Sequence, residues 1–259
     1  RKVWKQNCEE EALLGVSMTG IMDNKLTAGL LDAELLIKAL EDLRFHAVEV
    51  NAKWAEKIGI NRAAAITAVK PSGTVSLRVN SSSGIHTRWS PFYLRRVRGA
   101  KIDPLSHFMK EAGIPCETDV MSMDTLVFTF PVKAPQGVLY RNDLTALDQL
   151  RHWMIYKKHY TEHNPSVTIY VKDDEWLLVG AWVYENFDEV CGISFLPASD
   201  SDHVYDQAPY QEITEEEYYV WKAKMPVGID WTKFVEEDDF TVGSQSQACV
   251  AGGCDITNL

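Results

Sequence analysis

No stretch of these 259 residues is apolar for the roughly 20 positions a bilayer crossing takes, so no membrane partner is expected. The chain does not open on Met, and Arg1-Lys2-Val3-Trp4-Lys5 has no signal-peptide core. That start leads to the expectation of a fragment, a processed product or a trimmed chain. Five cysteines are too few to scaffold a chain of this length by disulfides, which points to the cytoplasm. Positive charge is scarce as well: 26 Lys and Arg stand against 37 Asp and Glu, for a net charge of -11. A grip on the DNA or RNA backbone needs clustered cations, so nucleic acid is not expected as a partner. A small phosphorylated ligand needs only a local pocket rich in N–H groups and stays possible. There is no internal repeat, and 46% hydrophobic residues suffice for one large domain or two small ones.

Helical spacing of Leu36, Leu40, Leu43, Ala47 and Trp54 predicts a helix over 32–58, closed by Gly59. Ala63 to Val69 predicts a strand stopped by Pro71. Thr125 to Val132 alternates Leu126, Phe128 and Phe130 and predicts another. A helix over 144–160, a strand over 166–171, a helix opened by Asp173-Asp174-Glu175 and a strand over 192–196 follow. Thr214-Glu215-Glu216-Glu217 caps one more helix, to about Lys224. The alternation of helix and strand predicts an α/β fold with largely parallel strands. The basic run Arg95, Arg96, Arg98 and Lys101 reads as a solvated face or a local anion patch. Cys8, Cys116 and Cys191 are scattered and read as buried or inert thiols.

Two constellations carry chemistry. Pro71-Ser72-Gly73-Thr74-Val75-Ser76 follows a predicted strand directly. Its N–H groups and hydroxyls suit an anion such as phosphate, and they also suit a plain turn. Near the C-terminus, Val242-Gly243-Ser244-Gln245-Ser246-Gln247 resembles a linker and leads to Cys249-Val250-Ala251-Gly252-Gly253-Cys254. A dithiol on a glycine hinge can close and exchange with another disulfide. A metal site or an idle pair are the alternatives, although no further Cys or His lies nearby at ligand spacing.

These features, in this order, resemble ribonucleotide reductases. Ala68-Val69-Lys70-Pro71-Ser72-Gly73-Thr74-Val75-Ser76, with Ser83-Gly84-Ile85-His86 after it, is similar to the family's substrate-phosphate loop. Gly73 at the third position of that loop looks like the adenosylcobalamin-dependent class (class II). Leu14 to Ile21, Asn164 to Lys172, Gly192 to Pro197 and Tyr205 to Tyr210 are similar to further segments of that class. The resemblance implies a C-terminal part of such an enzyme. Its fold would be the second half of a ten-stranded α/β barrel over 1–235, followed by a mobile redox-active tail over 236–259.

The implied reaction is radical reduction of ribonucleoside di- or triphosphates to 2′-deoxyribonucleotides. A thiyl radical abstracts the 3′-hydrogen, and the radical originates from adenosylcobalamin. Ser72, Gly73, Thr74, Val75 and Ser76 would hold the substrate phosphates, and Cys249 and Cys254 would shuttle reducing equivalents. Thioredoxin or a similar reductant and an upstream half of the reductase are the implied partners. No metal-ligand set is assigned, nor are the cobalamin-binding residues. His86 reads as structural. Asn7-Cys8-Glu9 lacks the spacing of the family's radical cysteine, which is expected upstream of this chain. A class I large-subunit fragment is the first alternative. It calls for stacked tyrosines, and Tyr218-Tyr219 reads as a surface pair among glutamates. The second alternative is a nucleotide-binding module with a redox-sensing tail.

Overall fold

A computed structural model describes residues 1–72, 75–198 and 206–235. In chain order its elements are α1 (Lys2–Glu11), β1 (Val16–Ser17), α2 (Ala33–Ile58), β2 (Thr67–Ala68), α3 (Val75–Arg78), β3 (Phe92–Ala100), α4 (Pro104–Glu111) and β4 (Cys116–Thr118). There follow β5 (Thr125–Lys133), α5 (Ala146–His159), β6 (Val167–Val171), α6 (Trp176–Glu185), β7 (Ile193–Pro197), β8 (Tyr210–Glu212) and α7 (Glu215–Lys224). The chain divides into two compact units. The first joins Arg1–Arg88 to Pro135–Ser201, and the second joins Trp89–Ala134 to Asp202–Leu259.

Unit one contains two parallel pairs, each closed by a helix. β1 lies beside β2 with α2 between them in sequence, and β6 lies beside β7 with α6 between them. Parallel neighbours need such a crossover because a short turn can only reverse the chain. Asp32 starts α2 by accepting the N–H groups of Glu34 (2.7 Å) and Leu35 (3.2 Å). Gly59 ends it at φ +75°, where a side chain would be strained. The core gathers around α5, whose Leu150, Trp153 and Tyr156 are fully buried against Ile21, Leu36, Leu40 and Ile169. Burying each of these large side chains contributes on the order of 2 kcal/mol. α5 is fixed at its start by a capping box in which Thr145 and Asp148 satisfy each other's backbone N–H groups.

Unit two corrects the expectation of largely parallel strands. Its sheet runs β4-β5-β3-β8 and every pairing in it is antiparallel. β3 and β5 pair from Phe92↔Lys133 through Ala100↔Thr125. Arg95, Arg96 and Arg98 interrupt the apolar pattern of β3, so its strand character is invisible to periodicity. β5 is buried without a break from Thr125 to Thr129, so the outward-facing positions implied by alternation are covered too. The face predicted for α2 is also only partly used: Leu36 and Leu40 are buried, while Leu35, Leu43 and Trp54 are exposed.

Candidate functional site

In unit one, β2 delivers the chain to Lys70-Pro71-Ser72 at its C-terminal end, the end of a parallel strand where ligands gather in α/β proteins. The loop is held by serines. Ser72 donates its N–H to Ser83 Oγ (2.8 Å), and that hydroxyl donates back to the Ser72 carbonyl (3.1 Å). Ser72 Oγ accepts the Ser76 N–H at 3.0 Å, and the Ser76 hydroxyl donates to the Ser72 carbonyl at 2.9 Å. Ser76 is buried and Val75 is exposed. Ser72 and Ser76 are thus brought together, with Ser72 Oγ taking a first-turn N–H of α3. Gly73 and Thr74 lie outside the described residues, as do Cys249, Cys254 and the whole 236–259 segment.

Beneath this loop is an ion pair that sequence reading missed. Arg88 grips Asp23 with both prongs, Nε to Oδ1 at 3.0 Å and Nη2 to Oδ2 at 2.8 Å. Only 4% of the Arg88 side chain is exposed. Asp23 Oδ2 also accepts the Ser82 N–H at 2.7 Å, and Arg88 Nη2 donates to the Asn80 carbonyl at 2.5 Å. The Ser82 carbonyl takes the Gly20 N–H and the Thr19 hydroxyl, both at 2.8 Å. Gly84 stands at φ +54°, and a Cβ there would come within 2.9 Å of the Lys70 carbonyl oxygen. Arg88 and Asp23 are 65 residues apart. No local pattern signals such a pair, and only the fold reveals it.

His86 bridges loop and sheet. Its Nδ1 donates to the Ser83 carbonyl (3.0 Å), while Nε2 accepts the Thr168 N–H of β6 (3.0 Å). Both nitrogens are committed, which requires the neutral ring with its proton on Nδ1. Burial lowers the pKa and outweighs the opposing pull of the Ser83 bond, so the neutral form holds. The structural role expected of His86 fits this geometry.

At the opposite end of β2, Glu162 Oε2 accepts the Ile66 N–H at 2.8 Å. Its carboxylate helps to line an open cleft of about 660 Å³ with Arg44, Ala64, Ala65, Lys157, Lys158, Thr161 and Glu189. This cleft is wide open and is lined at its β2 end by Ala64 and Ala65, at the other end of the strand from the serine loop. The loop, with its convergent hydrogen bonds, is the stronger site candidate.

In unit two the basic run proves to be a clamp more than a solvated face. Arg96 donates to the Ala208 carbonyl (3.0 Å) and Gln211 Oε1 (2.6 Å). Arg98 donates to Asp119 (2.5 Å) and the Gln207 carbonyl (3.1 Å). Together they fasten residues 207–211 to β3. Burial lowers the Arg96 pKa, with Arg98 adding to the effect and Glu117 opposing it. Asp119 is held below the usual carboxylate range: burial pushes its pKa up, and the Met121 N–H and Arg98 outweigh that. Tyr218 corrects the surface reading of the tyrosine pair, since it is buried against Leu94 and Ile213 while Tyr219 is exposed. Their rings meet edge-on at 71°, which is not a stack. Of the expected buried or inert thiols, Cys8 and Cys191 are exposed and Cys116 is half-buried, so burial does not hold for the first two, and Cys8 sits on α1, not on a loop.

The fold is α/β and is shared with a solved enzyme. The crystal structure of a B12-dependent (class II) ribonucleotide reductase matches with a TM-score of 0.74 at 21% identity, over 91% of this chain and 36% of that one. By sequence the chain is similar to proteins named adenosylcobalamin-dependent ribonucleoside-triphosphate reductases. It is 28% identical over 241 residues to the Euglena gracilis enzyme, covering 90% of this chain and 32% of that protein. It is 30% identical over 174 residues to a probable enzyme of this kind from Dictyostelium discoideum, covering 66% of this chain and 23% of the relative. A Levilactobacillus brevis reductase matches at 24% identity over 98% of the chain and 38% of the relative. The chain thus spans well under half the length of these relatives. No family model matches.

Proposed function

We propose that this chain is the part of an adenosylcobalamin-dependent ribonucleotide reductase that holds the substrate phosphates and returns the reducing equivalents. The observation that carries the proposal is the serine-pinned loop that follows β2. The substrate is a ribonucleoside triphosphate, with the diphosphate as the variant to compare, and the enzyme works in the cytoplasm.

Ser72 and Ser76 bind each other and thereby shape the loop, and Ser72, Gly73, Thr74, Val75 and Ser76 would hold the substrate phosphates. In the net reaction the ribose 2′ C–O bond breaks and the hydroxyl leaves as water. A hydrogen takes its place at C2′, and a dithiol supplies two electrons and two protons as it closes to a disulfide. Cys249 and Cys254, in the tail over 236–259, reopen that disulfide by exchange and are restored by thioredoxin or a similar donor. Residues 1–235 would form half of the ten-stranded barrel, completed by an upstream half.

Adenosylcobalamin, when bound, supplies the radical. None of the described residues is assigned to its binding.

The test is an assay of the full-length polypeptide containing this chain, with a ribonucleoside triphosphate and dithiothreitol. Formation of 2′-deoxynucleotide only when adenosylcobalamin is present supports the proposal. Turnover without the cofactor rejects the class, and full turnover by these 259 residues alone rejects the need for an upstream half.

A further inference from the structure

We infer that Asp23 and Arg88 are positioning residues for the phosphate loop, an inference that rests on the proposal that Ser72–Ser76 hold the substrate phosphates. The groups this pair holds lie on one stretch of chain. Asp23 takes the Ser82 N–H, and Arg88 takes the Asn80 carbonyl and, at 3.4 Å, the Asn80 side-chain oxygen. Residues 80–82 form the return arm of the loop, between the end of α3 and Ser83. Asn80 adopts φ +47°, a left-handed conformation that Asn tolerates better than most side chains. Ser81 donates its N–H to the Ser76 carbonyl at 2.9 Å, so the arm is joined directly to the far side of the loop. Ser83 carries the same constraint to Ser72.

One guanidinium–carboxylate pair therefore sets both where the loop returns and how its first turn is capped. Simple burial does not require an ion pair here. A buried pair costs desolvation and is frequently matched in stability by apolar residues of the same size, whereas its fork geometry fixes angles that apolar contacts leave loose. The same carboxylate reaches the segment before α2 through the short helical turn Ile21–Asp23. The loop is thus referenced to the core that Ile21 and Met22 enter.

The experiment measures KM and kcat for a ribonucleoside triphosphate, and the thermal midpoint, in the full-length polypeptide. Asp23→Asn keeps the shape and removes the charge, and Arg88→Lys keeps the charge and removes the fork. Gly73→Val reports on the loop itself. The expected result is a KM raised about tenfold by either pair variant, the scale of one lost charge-assisted hydrogen bond, with kcat held within about twofold. A lowered midpoint with unchanged KM in both pair variants, while Gly73→Val raises KM, makes the pair merely structural and overturns the inference. An unchanged KM in all three variants overturns the phosphate-loop proposal and this inference with it. If Asp23→Asn fails to fold, Arg88→Lys decides alone.

Discussion

Nε2 of His86 accepts the amide proton of Thr168 at 3.0 Å, joining the loop after β2 to the first turns of β6 across 82 residues of sequence. The same ring donates to the Ser83 carbonyl, so one side chain satisfies two backbone groups on two elements. Replacing it by Leu takes the partner from the Thr168 N–H, while the Ser83 carbonyl keeps the backbone N–H of residue 86 at 2.9 Å. His86→Leu is expected to lose about 1–3 kcal/mol, the cost of one orphaned buried polar group, read as a lower urea midpoint at unchanged slope. A midpoint equal to that of the parent would mean that the bridge contributes nothing.

Gly84 and Gly137 both have positive φ, at +54° and +76°, but only at Gly84 would a Cβ meet backbone, the Lys70 oxygen at 2.9 Å. Gly137→Ala is expected to cost about 1 kcal/mol from the left-handed conformation alone. Gly84→Ala should cost more than that, since the Lys70 carbonyl must move. Equal losses in thermal denaturation of the two variants would show that the close approach is not real.

His152 is 8% exposed on α5, and its Nε2 lacks a hydrogen-bond partner. Burial pushes its pKa down from 6.5 to about 4. The unfolded chain therefore binds a proton more readily than the folded one between these values. The neutral ring's contribution is fully present above about pH 6.5, falls as the pH drops, and stops falling below about 4. The shift corresponds to a loss on the order of 3 kcal/mol across that window. His152→Leu should flatten the fall in stability between pH 6.5 and 4. A pH profile parallel to that of the parent would assign the acid sensitivity elsewhere, for instance to His86, whose lowered pKa acts in the same direction.

The double variant Cys249→Ser, Cys254→Ser is expected to abolish turnover supported by thioredoxin in the full-length enzyme. It should leave part of the turnover with dithiothreitol, which is small enough to reduce a buried disulfide directly. Equal activity with both reductants would remove the tail from the electron path.

Much of unit one was legible because its signals are local. Asp32 and Gly59 bracket α2 as caps, and Thr145 opens α5 with a capping box. Apolar spacing placed α5 and β6 within two residues. The antiparallel sheet of unit two was not legible, because β3 carries three arginines whose partners, Asp119, Gln211 and the carbonyls of Gln207 and Ala208, come from distant segments. The site divides in the same way. Ser72 and Ser76 stood out as a motif, whereas Asp23 and Arg88 are ordinary charges in sequence and become a pair only through the fold. Tyr218 was misjudged because its neighbours in sequence are glutamates, while its neighbours in space are Leu94 and Ile213.

Unit one is assembled from two stretches of sequence, and its centre, α5, belongs to the second. On the ribosome the first 88 residues emerge before the helix that covers Ile21, Leu36 and Leu40 has been made. At about 5–20 residues per second, α5 follows only after on the order of ten seconds. During that interval the apolar positions of α2 that α5 later covers, Leu36 and Leu40, lack that cover until Trp153 and Tyr156 arrive.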